Sequence, residues 1–329
     1  MSHTTAPGIA AEDNGGVADD VTRPDPTTAT AAVEGHDVAA PVVAGLDGSP
    51  ADDAVAEWAA QEAARGARPL RLVHAIEPGF QLTPYEAVLG ELPSVSERLR
   101  AAGRDLVAGA AERVAARHPE LTVDQVLEWG APAAALVDLS EGAAWLVLGA
   151  PERSRLERAL LGSAAFAAMA HARCPVALVP SGHAVAAPRR VVVGVDGSAG
   201  SARAVRLAVA TAGAAGGTVT CVLGWTVEVI DGIVVTEPGS DHWKAVEERY
   251  TRLVHEAVDP VAAAHPDVPV EIVVRHGGPS QAVVEVADEL GADLVVVGSR
   301  GRGGFVGLLL GSVSRRVVER AGTVVAVAH

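Results

Sequence analysis

In the second half of the chain, short runs that are apolar at nearly every position alternate with longer stretches in which apolar residues recur every three or four. "VVVGV" (191–195), "VTCVLGW" (219–225), "VEIVV" (270–274), "LVVVG" (294–298) and "VVAVA" (324–328) are of the first kind and rich in β-branched residues. They predict five strands. Over 243–262, Val246, Tyr250, Leu253, Val254, Ala257, Val258 and Val261 follow helical spacing and predict a helix. Strands apolar on both faces, separated by helices, predict a parallel sheet covered on both sides. In such a doubly wound sheet ligands sit beyond the carboxyl ends of the strands, where the strand order switches.

The same pattern occurs earlier. "PVVAGLDGS" (41–49) returns as "RVVVGVDGS" (190–198), "AWLVLGA" (144–150) as "DLVVVGS" (293–299), and "LLGSA" (160–164) as "LLGSV" (309–313). Asp47 and Asp196, Gly149 and Gly298, and Gly162 and Gly311 are each 149 positions apart. Three landmarks at one offset predict a tandem duplication. The fold class expected is α/β: two tandem doubly wound (Rossmann-like) domains, each a five-stranded mainly parallel sheet flanked by helices. The domains expected are 39–182 and 188–329, joined near the Gly/Pro/Ala stretch "PSGHAVAAPR" (180–189). Residues 1–38 have no aromatic residue and one basic residue, Arg23, so a disordered acidic tail is expected there.

Charge and composition narrow the partners. Formal net charge is −15, and Lys244 is the single lysine among 26 basic residues, which argues against nucleic acid or an anionic membrane surface. Cys174 and Cys221 form neither a CxxC pair nor a disulfide framework and read as reduced core residues of a cytoplasmic protein. The histidines show no HxxxH or HExxH spacing, so no metal site is expected. The N-terminus has no signal-peptide pattern, and no apolar run reaches the roughly 18 residues of a membrane span.

The candidate chemistry lies in "GSRGRGGFVGLLLGS" (298–312), which places six glycines directly after a strand. Backbone N–H groups freed of Cβ atoms can converge on an anion, and a following helix adds its unpaired N–H groups. Ser312 is a candidate cap for that helix. The loop is not a Walker A motif, since no GxxxxGK[ST] is present, and Val306 stands where a GxGxxG fingerprint needs its third glycine.

What remains is Gly298-x2-Gly301-x9-Gly311-Ser312. With "VVVGVDGS" and the tandem arrangement, it resembles the universal stress protein family over about residues 40 to 329. The resemblance implies an ATP-binding regulatory protein of the stress response, with slow or no hydrolysis and no catalytic residues. ATP is the implied cofactor, with Mg2+ as an optional companion. Carried over, Asp196 contacts adenine or ribose with Gly194 lining that slot, and Gly298 and Gly301 approach ribose and phosphates. Gly311, Ser312 and Val313 offer donors to the phosphates. Ser299, Arg300 and Gly303 complete the loop, and Arg300 and Arg302 supply charge. In the family the fifth strands, here "CPVALVP" (174–180) and "GTVVAVAH" (322–329), pair across a dimer. The two domains are therefore expected to form a pseudo-dimer within one chain, with a further homodimer left open.

Other readings stand beside these. Asp196 and Ser198 can simply cap the next helix. Trp225 and Trp243 read as packing, and Arg315 and Arg316 as a solvated face. The loop 298–316 has no Asp or Glu, against rapid phosphoryl transfer; a weak ATPase and a ligand-free scaffold remain the alternatives. In the first domain "GAPERSRLERALLGS" (149–163) keeps Gly149, Gly162 and Ser163 but has Glu152 for the middle glycine and Pro151 beside it. Weaker nucleotide binding is expected there.

Overall fold

The computed structural model describes residues 39–77, 95–150, 162–226, 228–230, 233–235, 237–301 and 310–329. The first module runs β1 (Val42–Leu46), α1 (Asp52–Arg65), β2 (Leu70–Ile76), α2 (Val95–Arg117), β3 (Val123–Trp129), α3 (Pro132–Leu139), β4 (Trp145–Gly149), α4 (Ser163–His171) and β5 (Val176–Val179). The second runs β6 (Arg190–Gly194), α5 (Ala199–Ala214), β7 (Thr218–Trp225), the hairpin β8 (Glu228–Ile230) and β9 (Ile233–Val235), and α6 (Asp241–Ala264). It closes with β10 (Val270–His276), α7 (Pro279–Leu290), β11 (Leu294–Gly298), α8 (Ser312–Arg320) and β12 (Val324–Ala328). The strands predicted at 294–298 and 324–328 form with those bounds, and the helix predicted over 243–262 extends two residues at each end. The β8–β9 hairpin is an addition that the apolar pattern did not predict. The tail expected over residues 1–38 lies outside the described residues.

Each module has the strand order of a doubly wound sheet, and the two sheets are halves of one. The order across the molecule is β10-β7-β6-β11-β12-β5-β4-β1-β2-β3. Neighbours within each half are parallel, while β5 and β12 meet antiparallel, Val327 opposite Val176 and Val325 opposite Leu178. The expected pairing of fifth strands is thus present inside a single chain, and each covers the other's open edge.

The all-apolar strands are explained by the two cores. Val191 and Val193 of β6 face one buried layer, with α5 and α6, while Val192 faces the other, with α7 and α8. Both layers run across the seam into the first module. Parallel pairing within each half places the carboxyl strand ends of a module on one rim, which is where the candidate residues lie.

Candidate functional site

In the second module the adjacent strands β6 and β11 end at Gly194 and Gly298, and a cavity of about 330 Å³ opens beyond them. Five of its lining residues are glycines, so part of its wall is backbone. Gly194, Asp196, Gly298, Arg300, Gly301, Gly311, Ser312 and Val313 all line it, so eight predicted residues converge on one space. Ser299 is buried behind the wall: its N–H donates to the Ala328 carbonyl (2.9 Å) and its carbonyl accepts from the Gly311 N–H (2.8 Å). Gly303 and Arg302 lie outside the described residues. Val222, Val283, Val297 and Leu310 also line the cavity and give it apolar surface that suits a flat ring.

Local chemistry positions the donors. Gly311 holds an extended backbone (φ −66°, ψ 146°) and is the residue that caps α8, with no side-chain cap. The expectation that Ser312 is the cap is corrected: Ser312 is the first helical residue. The helix's first internal bond is Arg315 N–H to the Gly311 carbonyl. The N–H groups of Ser312, Val313 and Ser314 therefore have no acceptor within the helix, and all three residues line the cavity. Ser314 Oγ donates to the Gly298 carbonyl (2.6 Å), fixing the helix start against the strand end.

Asp196 and Ser198 form the turn and cap that start α5, and Asp196 also lines the cavity. Its Oδ1 accepts from the Ser198 N–H (2.9 Å), while Ser198 Oγ caps α5 by accepting from the Ser201 N–H (3.1 Å). Its Oδ2 lies against Gly301, where an added Cβ would collide with it. Gly200 was missed by the sequence reading. A Cβ there would strike the Arg300 carbonyl oxygen, and a Cβ on Gly298 would stand 2.6 Å from the Gly200 carbonyl carbon. A glycine in the first turn of a helix, in "AGSAR", was the available signal. Ser201, Gly224 and Pro279 also line the cavity and carried no comparable mark.

Trp225 and Trp243 are buried against each other, edge to face with centroids 4.7 Å apart, and neither lines the cavity. Arg315 is exposed and pairs with Glu319 at 2.7 Å. Among the described residues no cluster of three metal-ligating side chains occurs, and no helix is long and apolar enough to cross a membrane.

The first module has a cavity of about 390 Å³ in the corresponding place, lined by Gly45, Asp47, Gly149 and Gly162 among others. Size does not separate the two; the walls do. Ala51 stands in place of Gly200, and its Cβ would be only 3.1 Å from one added to Gly149. Asp52 stands in place of Ser201, and its carboxylate accepts from the N–H groups of Asp47 (3.1 Å) and Gly48 (2.9 Å). Burial raises the Asp52 pKa, those two bonds oppose the shift, and the neighbouring Asp47 charge adds to it. Two carboxyl groups thus occupy a turn that holds one in the second module. Glu152 and Pro151 lie outside the described residues.

Fold and rim together define a tandem doubly wound α/β protein with a glycine-walled cavity in its second module. The universal stress protein sequence profile matches residues 40–180 and again 188–329. A universal stress protein of Mycobacterium tuberculosis is 36% identical over 297 residues, covering 88% of this chain and 96% of its own. One from Mycolicibacterium smegmatis is 34% identical over 291 residues, covering 87% and 96%. In fold the chain is similar to the crystal structure of a universal stress protein from Archaeoglobus fulgidus, with TM-score 0.65 and 18% identity over 88% of this chain and 97% of that one. The chain belongs to the universal stress protein family.

Proposed function

We propose that the protein is an ATP-binding regulator whose working site is the cavity of the second module. The observation that carries this reading is the convergence of glycine backbone and the N–H groups at the start of α8, which have no acceptor within the helix, on one space that apolar side chains also line. Side chains at Gly298 or Gly301 would alter that space. The residues fit the nucleotide: N–H donors and the helix's positive end suit phosphates, and the valine-lined wall suits a purine. Asp196, beside Gly194, would accept from ribose or base.

Turnover is slow or absent in this reading. Among the described residues Asp196 is the only carboxylate lining the cavity, and its Oδ1 is already engaged by Ser198. Rapid phosphoryl transfer relies on positioned charge and a placed metal. Mg2+ would be held chiefly by the phosphates and water, a common arrangement for that ion. Asp47 with Asp52, together with Ala51 for Gly200, support weaker nucleotide binding in the first module. Both cysteines are free, and burial pushes their thiols up to about 12, which fits the inert core role expected in a reducing cytoplasm.

Mass spectrometry of nucleotide released from the purified protein, with a turnover assay, tests the proposal. The expected result is adenine nucleotide at no more than one per chain, hydrolysed well below about 1 s⁻¹, the low end of ordinary enzyme rates. Fast turnover, or protein that neither carries nor takes up adenine nucleotide, contradicts it.

A further inference from the structure

Three cationic or protonatable side chains from separate segments meet at one corner of the second-module rim. Arg203 is on α5, Arg300 follows β11, and His329 follows β12. Backbone contacts bring the segments together: Ser299 N–H donates to the Ala328 carbonyl at 2.9 Å, and Gly200 packs on the Arg300 carbonyl. Elsewhere arginines close to an acid pair with it, as Arg190 does with Asp293 at 3.2 Å and Arg275 with Glu289 at 2.7 Å. Among the described residues Arg203 and Arg300 have no such partner. The buried Nε of Arg203 and Nε2 of His329 also lack any hydrogen-bond partner among those residues.

A buried arginine N–H without a partner is costly, and with the Arg300 charge nearby and a protonatable ring it suits an anion with several acceptor oxygens. Arg300 itself lines the cavity, so the corner is continuous with it. We propose that Arg203, Arg300 and His329 seat the terminal phosphates of the bound nucleotide and make the site prefer tri- over monophosphate. This rests on the reading that the cavity holds a nucleotide, and it adds the rule by which nucleotides are told apart.

The seat is also proton-linked. Burial, then the charges of Arg203 and Arg300, hold His329 down at about 4. On its other side the β12–β5 register, with Val327 opposite Val176, leads toward Cys174, whose thiol is neutral because burial pushes it up to about 12. Arg173 next to it is paired with Glu141 at 2.6 Å. An anion placed among these groups favours the imidazolium, so binding draws a proton onto His329.

The test follows the His329 ring by NMR titration of the full chain, with inorganic triphosphate as probe, alongside calorimetry with ATP and AMP. Triphosphate should raise the His329 titration point. Arg203→Gln should abolish that response and reduce the ATP-over-AMP preference about tenfold, as loss of a charge-assisted bond implies. Arg203→Lys keeps the charge and should retain most of the response, separating the effect from a folding defect. A His329 titration that triphosphate leaves unmoved, or equal losses for ATP and AMP in Arg203→Gln, overturns the proposal. If triphosphate moves His329 while ATP and AMP fail to bind, the anion seat stands and the nucleotide reading falls.

Discussion

At Gly301 the absent side chain leaves room for a carboxylate, because Asp196 Oδ2 occupies the place a Cβ would take. Gly301→Ala therefore forces Asp196 or the loop to move while leaving the cores untouched. Calorimetry should show ATP affinity falling about tenfold, ~1.4 kcal/mol, with the melting temperature little changed. A second single-residue effect concerns pH. His329 is held at about 4 against an ordinary 6.5, so below 6.5 the unfolded chain binds a proton that the folded chain refuses. Stability contributed by neutral His329 is thus present above 6.5 and is lost as pH falls toward 4. Denaturation curves of His329→Gln should lose less stability between those values than the parent, by at most about 3 kcal/mol. Identical pH slopes in the two proteins would contradict it.

The elements that form the site are α5, α8 and the strands they follow. The first turn of α5 lies so close to the loop that Gly200→Ala would drive a Cβ into the Arg300 carbonyl oxygen. Overpacking of this kind costs about 1–3 kcal/mol, so denaturant unfolding should show that loss together with weaker ATP binding. In the first module Ala51 already occupies this position. The strands were legible in the sequence because burial on both faces leaves no polar position to break runs such as "LVVVG". Gly194 and Gly298 were legible because they end those runs, and Gly311 because of its spacing from Gly298 and its repeat at Gly162. Gly200, Ser201 and Pro279 were not, since their role depends on distances between segments up to 100 residues apart. The hairpin β8–β9 carried a "DG" signal between apolar residues (231–232), but its strands are three residues each, too short for periodicity to register. The cationic corner was half legible. Arg300 sits in the glycine loop, whereas Arg203 and His329 join it only through the packing of α5 and the pairing of β12.

Across the whole molecule, the antiparallel seam between β5 and β12 turns two five-stranded sheets into one ten-stranded sheet with cores that cross it. Val327, fully buried, pairs with Val176 in that seam. Val327→Asp places an unpaired charge there and should cost more than about 4 kcal/mol, destabilising both modules together rather than the second alone. Calorimetric scans in which the first module keeps its parent transition would refute that coupling. Duplication also leaves two rim cavities that differ in charge and in their glycines, Ala51 standing for Gly200 and Glu152 for Gly301, so the central claim is one of asymmetry: a tight ATP site in the second module and a weak or lost one in the first. Isothermal titration of the full chain with ATP, repeated on Gly301→Asp, tests it most directly. The account predicts one tight site per chain in the parent and none in the variant. Two equivalent sites, no binding, or a tight site that survives Gly301→Asp would contradict it.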